Sequence, residues 1–457
     1  MLRFFFLLLS LLFFSGCLPK GDPADFRVVL ISIDGLRADI FLDPGANGFS
    51  EEELPNLRRM ASEGAHIKEV TTVFPSHTFP AHMSMVTGKL PFEHGIAHNH
   101  PFDPERNFDP WFWWADSLKV PTVFHLAQKN GLVTASTPWP VSVNGPFDYN
   151  IPEIEPMRGE TISTLDLVRR HDRPSKLIEY FALFEGLSSS EESTHGFQRD
   201  LNLHHIFKTI FKKALPHLSA YHIIQTDDVQ HLHGRHHKNV KEAFVFADSL
   251  VGSVMTLITE LNQWPTTTLI VTGDHGHVDH HTDIRLNALF EQKGLLVIQD
   301  GGITAWDAVA HPAGGAAFIM LKDSTNASIR NKVVSLLGNV PWGRLLSTRE
   351  VPPALNGYGD TDFLVLAEEG YNFPGELEQP FIFQHDGGGH GGDPRKSQLK
   401  TTLFAMGRGI EQGAVVDSSH TTQTATLIAN LLDLPLNSQK PAPAVLKKSI
   451  PIQPMQE

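Results

Sequence analysis

The chain has 457 residues, 41% of them hydrophobic, and a formal net charge of −14. That length suits one large α/β domain with insertions or two to three ordinary domains, and the hydrophobic share is that of a globular protein. The acidic balance argues against a nucleic-acid polymer as partner but leaves a nucleotide substrate open, because a metal site reverses the local sign.

Arg3 precedes an apolar run from Phe4 to Phe14, followed by Ser15-Gly16-Cys17. The run is too short for a comfortable membrane span and reads as an export signal. Small residues before a lone Cys resemble a bacterial lipobox. The expected division is a lipoprotein signal peptide over 1–16, then a lipidated Cys17 and tether over 17–25; a simple signal peptide or a retained short anchor is the alternative. Leu18, in place of Asp, points to the outer membrane, so the expected location is the periplasmic face of the envelope. The membrane partner is the lipid anchor, and no protein partner is inferred. Cys17 is the only Cys, which leaves the mature chain without a disulfide, a Cys-based metal site or a Cys nucleophile.

Residues 27–34 (RVVLISID) are an apolar, β-branched run ending in Asp34, the pattern of a buried parallel strand, and Gly35 follows as a turn. Residues 54–64 read as a helix and 67–74 as a strand. Thr78 then stands just before Phe79-Pro80, and Ala81 to Thr87 reads as a helix stopped by Gly88. Thr78 thus lies at a helix N-terminus. It is either an ordinary N-cap or a group placed where free N–H groups favour an anion. A polar loop carries Asn99. Residues 120–130 read as a helix, and the strand LVTAST leads to Trp139-Pro140-Val141-Ser142. Helices are expected at 174–186 and 198–214 with a Ser-rich loop, 187–194, between them.

The strand 220–226 runs into Asp227 and His231, and 240–262 reads as a long helix. A strand ending at Gly273 meets Asp274-His275-Gly276-His277. Residues 286–295 read as a helix, 313–322 and 361–367 as strands, 385–393 as a Gly-rich loop, 401–406 as a strand and 421–433 as a helix. The pattern is α/β, with acid or His at strand C-terminal ends, where open α/β sheets bind ligands.

Four segments therefore present hard or imidazole ligands: Asp34; Asp227 with His231; Asp274 with His275; and His390. His nitrogen and carboxylate oxygen serve Zn²⁺ where no thiolate is available. Asp227 and His231, four apart, share one face of a helical turn. Adjacent Asp274 and His275 reach one ion if the backbone turns sharply, which Gly273 and Gly276 allow. Singly, a strand-end Asp is a cap or turn former and a loop His is solvated; jointly, in this order, they point to a metal site.

The motifs I-D-G near 33–35, T-F-P-A-H to E-H-G-I at 78–96, N-H-P-F-D-P at 99–104, W-P-V-S at 139–142, D-x-x-x-H at 227–231, G-D-H-G at 273–276 and G-G-H-G-G-D at 388–393 run through most of the chain. With them the chain resembles the nucleotide pyrophosphatase/phosphodiesterase family of the alkaline phosphatase superfamily, as a bacterial lipoprotein member. The resemblance implies a central, mostly parallel sheet flanked by helices over 26–436, smaller insertions at about 150–218 and 295–385, and a C-terminal extension over 437–457. It also implies two Zn²⁺ ions. One would be held by Asp227, His231 and His390, the other by Asp34, Asp274, His275 and the Thr78 oxygen. Thr78 would be the nucleophile, Asn99 would help bind the phosphoryl oxygen, and Phe79 and Trp139 would border the substrate pocket.

A free Thr hydroxyl is a poor nucleophile near neutral pH, and metal coordination supplies its activation. The expected function is hydrolysis of a small phosphodiester or pyrophosphate through a phospho-threonine. A phosphomonoesterase or phosphonate hydrolase on the same scaffold is the alternative, and a non-catalytic binding lipoprotein the remote one. Two departures stand out: Val141 where the diesterases have Gly, and His277 where the family often has Met. The Lys-x-Arg pair of monoester-preferring members does not occur between Thr134 and Glu153. His233, His277, His280 and His281 read as groups that support the ligands or face solvent, with a further ion as the alternative.

Overall fold

The computed structural model describes residues 25–179, 196–347, 350–351, 361–437 and 440–447. The expected signal peptide, Cys17, most of the tether, the Ser-rich loop and the second half of the helix expected at 174–186 lie outside these residues.

The strands in chain order are β1 (Arg27–Ile33), β2 (Ala65–Thr71), β3 (Thr134–Thr137), β4 (Tyr149–Asn150), β5 (Leu218–Ile223), β6 (Thr267–Thr272), β7 (Val278–Ile284), β8 (Leu296–Gln299) and β9 (Gly302–Trp306). They continue with β10 (Ala308–Pro312), β11 (Ala316–Leu321), β12 (Gly343–Ser347), β13 (Phe363–Ala367), β14 (Gly370–Asn372), β15 (Ile382–Gly389), β16 (Thr401–Gly407) and β17 (Ala414–His420). Eight build the central sheet, in the order β17-β2-β16-β6-β1-β5-β3-β4. Its pairings are parallel except where β16 lies antiparallel to both β2 and β6. The fold is thus the expected α/β class with a mostly parallel central sheet.

Period-2 alternation explains why β1 reads as continuously apolar. Val28 and Leu30 enter the core on one face, with residues of the helices Thr78–Thr87, Val123–Lys129 and Gln423–Leu432. Val29, Ile31 and Ile33 enter the core on the other, with the helices Pro55–Glu63 and Lys238–Glu260. A strand buried on both faces has no polar side to show.

A third cluster forms around the antiparallel sheet β10-β11-β13-β12. The ribbon β14-β7-β15 carries the chain from this sheet back toward the centre. One element is additional here and one expectation needs correction. A helix at Thr164–His171, unforeseen, starts at Ser163, whose side chain accepts from the Asp166 N–H. The stretch read as a Gly-rich loop from 385 is instead strand β15 through Gly389, paired antiparallel to β7.

Candidate active site

β1, β5 and β6 lie side by side, so their C-terminal ends deliver Asp34, Asp227 and Asp274 to one place. Asp227 comes one step later than the sequence pattern suggests. β5 ends at Ile223, and Asp227 occupies the first turn of the helix Gln225–His233, with His231 one turn on. Thr78 is the first residue of its helix, and the N-cap is His77. The Thr78 hydroxyl is therefore not a cap; it lies 3.4 Å from His275 Nε2. Asn99 Oδ1 accepts the backbone N–H of Phe79 at 2.9 Å, which leaves its amide nitrogen as a donor, and Asn99 and Thr78 line one cavity.

The chain bends at Asp274 as expected, and Gly276 also supplies clearance: a Cβ there would lie 2.1 Å from the Gln398 carbonyl oxygen. Gly391, at φ +80, likewise passes where a Cβ would fall 1.6 Å from the Ala313 oxygen. That close passage seats His390.

Each carboxylate is held by one oxygen and offers the other. Asp274 Oδ1 accepts from the N–H groups of Gly35 and His275, both at 2.9 Å, while buried Oδ2 makes no hydrogen bond. Asp34 Oδ2 meets His222 Nε2 at 3.0 Å, and buried Oδ1 makes none. The imidazoles are oriented in the same way. His231 Nδ1 sits 2.9 Å from the Gly388 carbonyl, His390 Nδ1 2.8 Å from that of Ser76, and His275 Nδ1 3.2 Å from that of Gly276. A carbonyl only accepts, so each Nδ1 carries the proton, and in the neutral ring each Nε2 presents a lone pair. Yet the Nε2 atoms of His231 and His390 face each other at 3.0 Å, and His275 Nε2 faces Asp274 Oδ2 at 3.1 Å and Asp34 Oδ1 at 3.5 Å. Lone pairs so crowded repel unless a cation lies among them. In a tetrahedral zinc site with bonds of about 2.0–2.1 Å, ligand atoms sit about 3.3 Å apart. These residues fit a metal.

The electrostatics agree. Burial, and then the charges of Asp274 and Asp227, push the Asp34 carboxyl well above the usual carboxylate range. His222 is drawn the other way: burial opposes its charge, but Asp34 and Glu153 on its two nitrogens raise it to about 10. His222 was missed in the sequence, although it is the one ionisable imidazole in the buried strand β5. His277 places Nε2 2.6 Å from Asp227 Oδ1, a hydrogen-bond distance that orients this carboxylate.

Two cavities meet at this cluster. One, about 420 Å³, is bordered by Thr78, Phe79, Trp111, Trp113, Ile154 and Ile206. Trp111 and Trp113 stack at 5.2 Å over Phe79, and neither was singled out in the sequence. Trp139, expected at the pocket border, is buried against His82 instead and lines neither cavity. Val141 holds φ +56, the conformation that Gly adopts freely and a β-branched residue rarely does. The other cavity, about 950 Å³, is the more polar of the two and shares Asn99, His231 and His390 with the first.

Residues 28–393 match the family described as type I phosphodiesterase / nucleotide pyrophosphatase. Human ectonucleotide pyrophosphatase/phosphodiesterase family member 5 is 22% identical over 427 residues, covering 90% of this chain and 76% of that protein. Human bis(5'-adenosyl)-triphosphatase is 26% identical over 297 residues, 61% of this chain and 55% of that protein, so the match spans about half of that relative. Among solved structures, human family member 5 superposes with a TM-score of 0.64 at 19% identity, over 91% of this chain and 97% of that one. The murine counterpart, solved as an inactive threonine-to-alanine variant in complex with AMP, gives 0.63 at 19% identity, with the same coverage of both chains. These superpositions bear on the fold; the family match covers most of the chain. The chain belongs to the type I phosphodiesterase / nucleotide pyrophosphatase family and is a hydrolase of that type.

Proposed function

We propose that this hydrolase cleaves small phosphodiesters or pyrophosphates at a two-zinc site through a phospho-threonine on Thr78. Asp227, His231 and His390 would hold one ion; Asp34, Asp274, His275 and the Thr78 oxygen would hold the other. His231 is preferred to His277 for the first set because its Nε2 lies 3.0 Å from His390 Nε2 and 3.3 Å from Asp227 Oδ2, ligand-to-ligand spacings, whereas His277 Nε2 at 2.6 Å from Asp227 Oδ1 is at hydrogen-bond distance. When bound, the ions lower the pKa of the Thr hydroxyl and offset charge on the phosphoryl and leaving oxygens.

Thr78 Oγ attacks phosphorus in line, and the bond to the leaving oxygen breaks. Water then cleaves the Thr–phosphate bond. The amide nitrogen of Asn99 and the N–H groups at the start of the Thr78 helix stabilise the phosphoryl oxygens. The AMP complex of the murine relative, inactive without its threonine, supports this reading.

The observation that carries diester over monoester is the pair of cavities that meet at Asn99, His231 and His390, one of them also bordered by Thr78. A diester has two substituents to place: an aromatic one against Trp111 and Trp113, the other in the polar cavity. Ile151, Ile154, Val168, Ile178, Leu203 and Ile206 supply much of the apolar wall and would select the substituent. The sequence pattern alone places the enzyme on the periplasmic face, anchored through lipid on Cys17. Hydrolysis of bis(p-nitrophenyl) phosphate and p-nitrophenyl phosphate, with and without chelator, tests the proposal. The diester should be cleaved faster, and only with metal. Faster monoester cleavage overturns the diester reading, and activity that survives exhaustive chelation overturns the metal site.

A further inference from the structure

His280, Asp283 and His385, none of them in the ligand sets above, also line the polar cavity, with their ligand atoms all within 4.8 Å of one another. The β7 ribbon brings them together through an irregularity. Gly370 pairs with His280 and Tyr371 with Thr282, so His281 has no opposite on β14. On β15 the register jumps from Gln384, opposite Thr282, to Gly387, opposite His280, which leaves His385 and Asp386 against one residue of β7. Such a bulge re-aims side chains. Here His280 and Asp283, three apart on one strand, approach to 3.6 Å (Nε2 to Oδ1), and His385 Nδ1 comes within 3.2 Å of Asp283 Oδ2.

We propose that His280, Asp283 and His385 form a further divalent-cation site of the zinc class. Three observations carry it. His280 is 7% exposed, yet neither ring nitrogen makes a hydrogen bond, which is rare for a buried polar group without an unseen partner. His280 Nε2 and His385 Nδ1 stand 3.6 and 3.2 Å from the two oxygens of Asp283, on the scale of the roughly 3.3 Å between ligand atoms of a tetrahedral zinc shell. The surroundings keep the space open and the carboxylate fixed. A Cβ at Gly387 would lie 3.2 Å from His280 Cε1, one at Gly389 would lie 3.5 Å from its Nδ1, and Asn372 Nδ2 donates to Asp283 Oδ1 at 2.9 Å. Three protein ligands leave a fourth position, which opens on the polar cavity. His385 is half-exposed and offers the path of entry.

The test counts ions. The full mature chain is equilibrated with buffered free zinc, and zinc per chain is measured by mass spectrometry for the parent, His280→Gln and His385→Gln. Each variant should bind one equivalent less than the parent and keep the parent's far-UV circular dichroism and a cooperative thermal transition, which shows that it has folded. Co²⁺-loaded parent should lose part of its visible absorption in each variant. Equal stoichiometry in all three proteins overturns the proposal. Failure of the two-zinc reading at Thr78 would instead lower the parent count and leave the one-equivalent difference in place.

Discussion

Adding one methyl group at Gly391 should empty half of the metal site. A Cβ there would lie 1.6 Å from the Ala313 carbonyl oxygen and 2.6 Å from His77 Nε2. Real Cβ contacts essentially never fall below 3.0 Å, so the backbone must retreat by roughly 1.4 Å, the difference between 3.0 and 1.6 Å. The φ of +80 adds about 1–2 kcal/mol of strain for Ala. His390 is the preceding residue, and both its Nδ1 and the Gly391 N–H are tied to the Ser76 carbonyl, at 2.8 and 3.0 Å. A retreat of that size breaks this tie and moves Nε2 away from His231. Misplacement by about 1 Å costs on the order of 100-fold in rate. We therefore expect Gly391→Ala to lose one zinc per chain and about 100-fold in kcat/KM for bis(p-nitrophenyl) phosphate, with a lowered Tm. Gly45→Ala is the control: no atom stands within 4 Å of the added carbon, and the effect should stay within about 0.5 kcal/mol. Wild-type zinc content and a rate within about twofold in Gly391→Ala would show that the close passage at Ala313 does not seat His390.

The remaining predictions concern the other parts of the site. His222→Ala removes the bonds to Asp34 Oδ2 and Glu153 and should weaken zinc binding about 10–100-fold, read by competition with a chelator. Trp111→Ala should raise KM for aryl or nucleoside diesters by about tenfold, from a stacking loss of about 1–3 kcal/mol, and leave methyl esters nearly unchanged. Exhaustive metal removal should lower Tm and abolish turnover, with both restored by zinc, because the crowded Nε2 atoms and the buried carboxylates then face one another without a cation. Cys17→Ser should abolish labelling by a fatty-acid probe and release the protein from membranes; unchanged membrane retention would refute lipid anchoring.

The site was legible where its chemistry is local. Asp34 and Asp274 end apolar runs, and the spacing of Asp227 and His231 shows their helix directly. It was illegible where the cause lies far along the chain. β15 reads as a loop because Gly disfavours strands, yet its glycines answer Gln230, His231 and His280, which approach too closely for a Cβ. Nothing near residue 388 in sequence reveals those neighbours. Trp139 and Trp111 were exchanged for a similar reason: a bulky ring marks a wall or a core equally well, and only packing decides which. The signal for Trp111 and Trp113 was nevertheless present, since side chains two apart on an extended segment share a face.

The most direct test of the central claim is to trap the intermediate on Thr78. The zinc-loaded enzyme is mixed with bis(p-nitrophenyl) phosphate, quenched in acid within the first turnover, digested and mapped by mass spectrometry. The account predicts one phosphoryl group on the peptide that contains Thr78, and neither phosphopeptide nor turnover in Thr78→Ala. Turnover by Thr78→Ala at the parent rate, with no phosphate on that peptide in the parent, would contradict it.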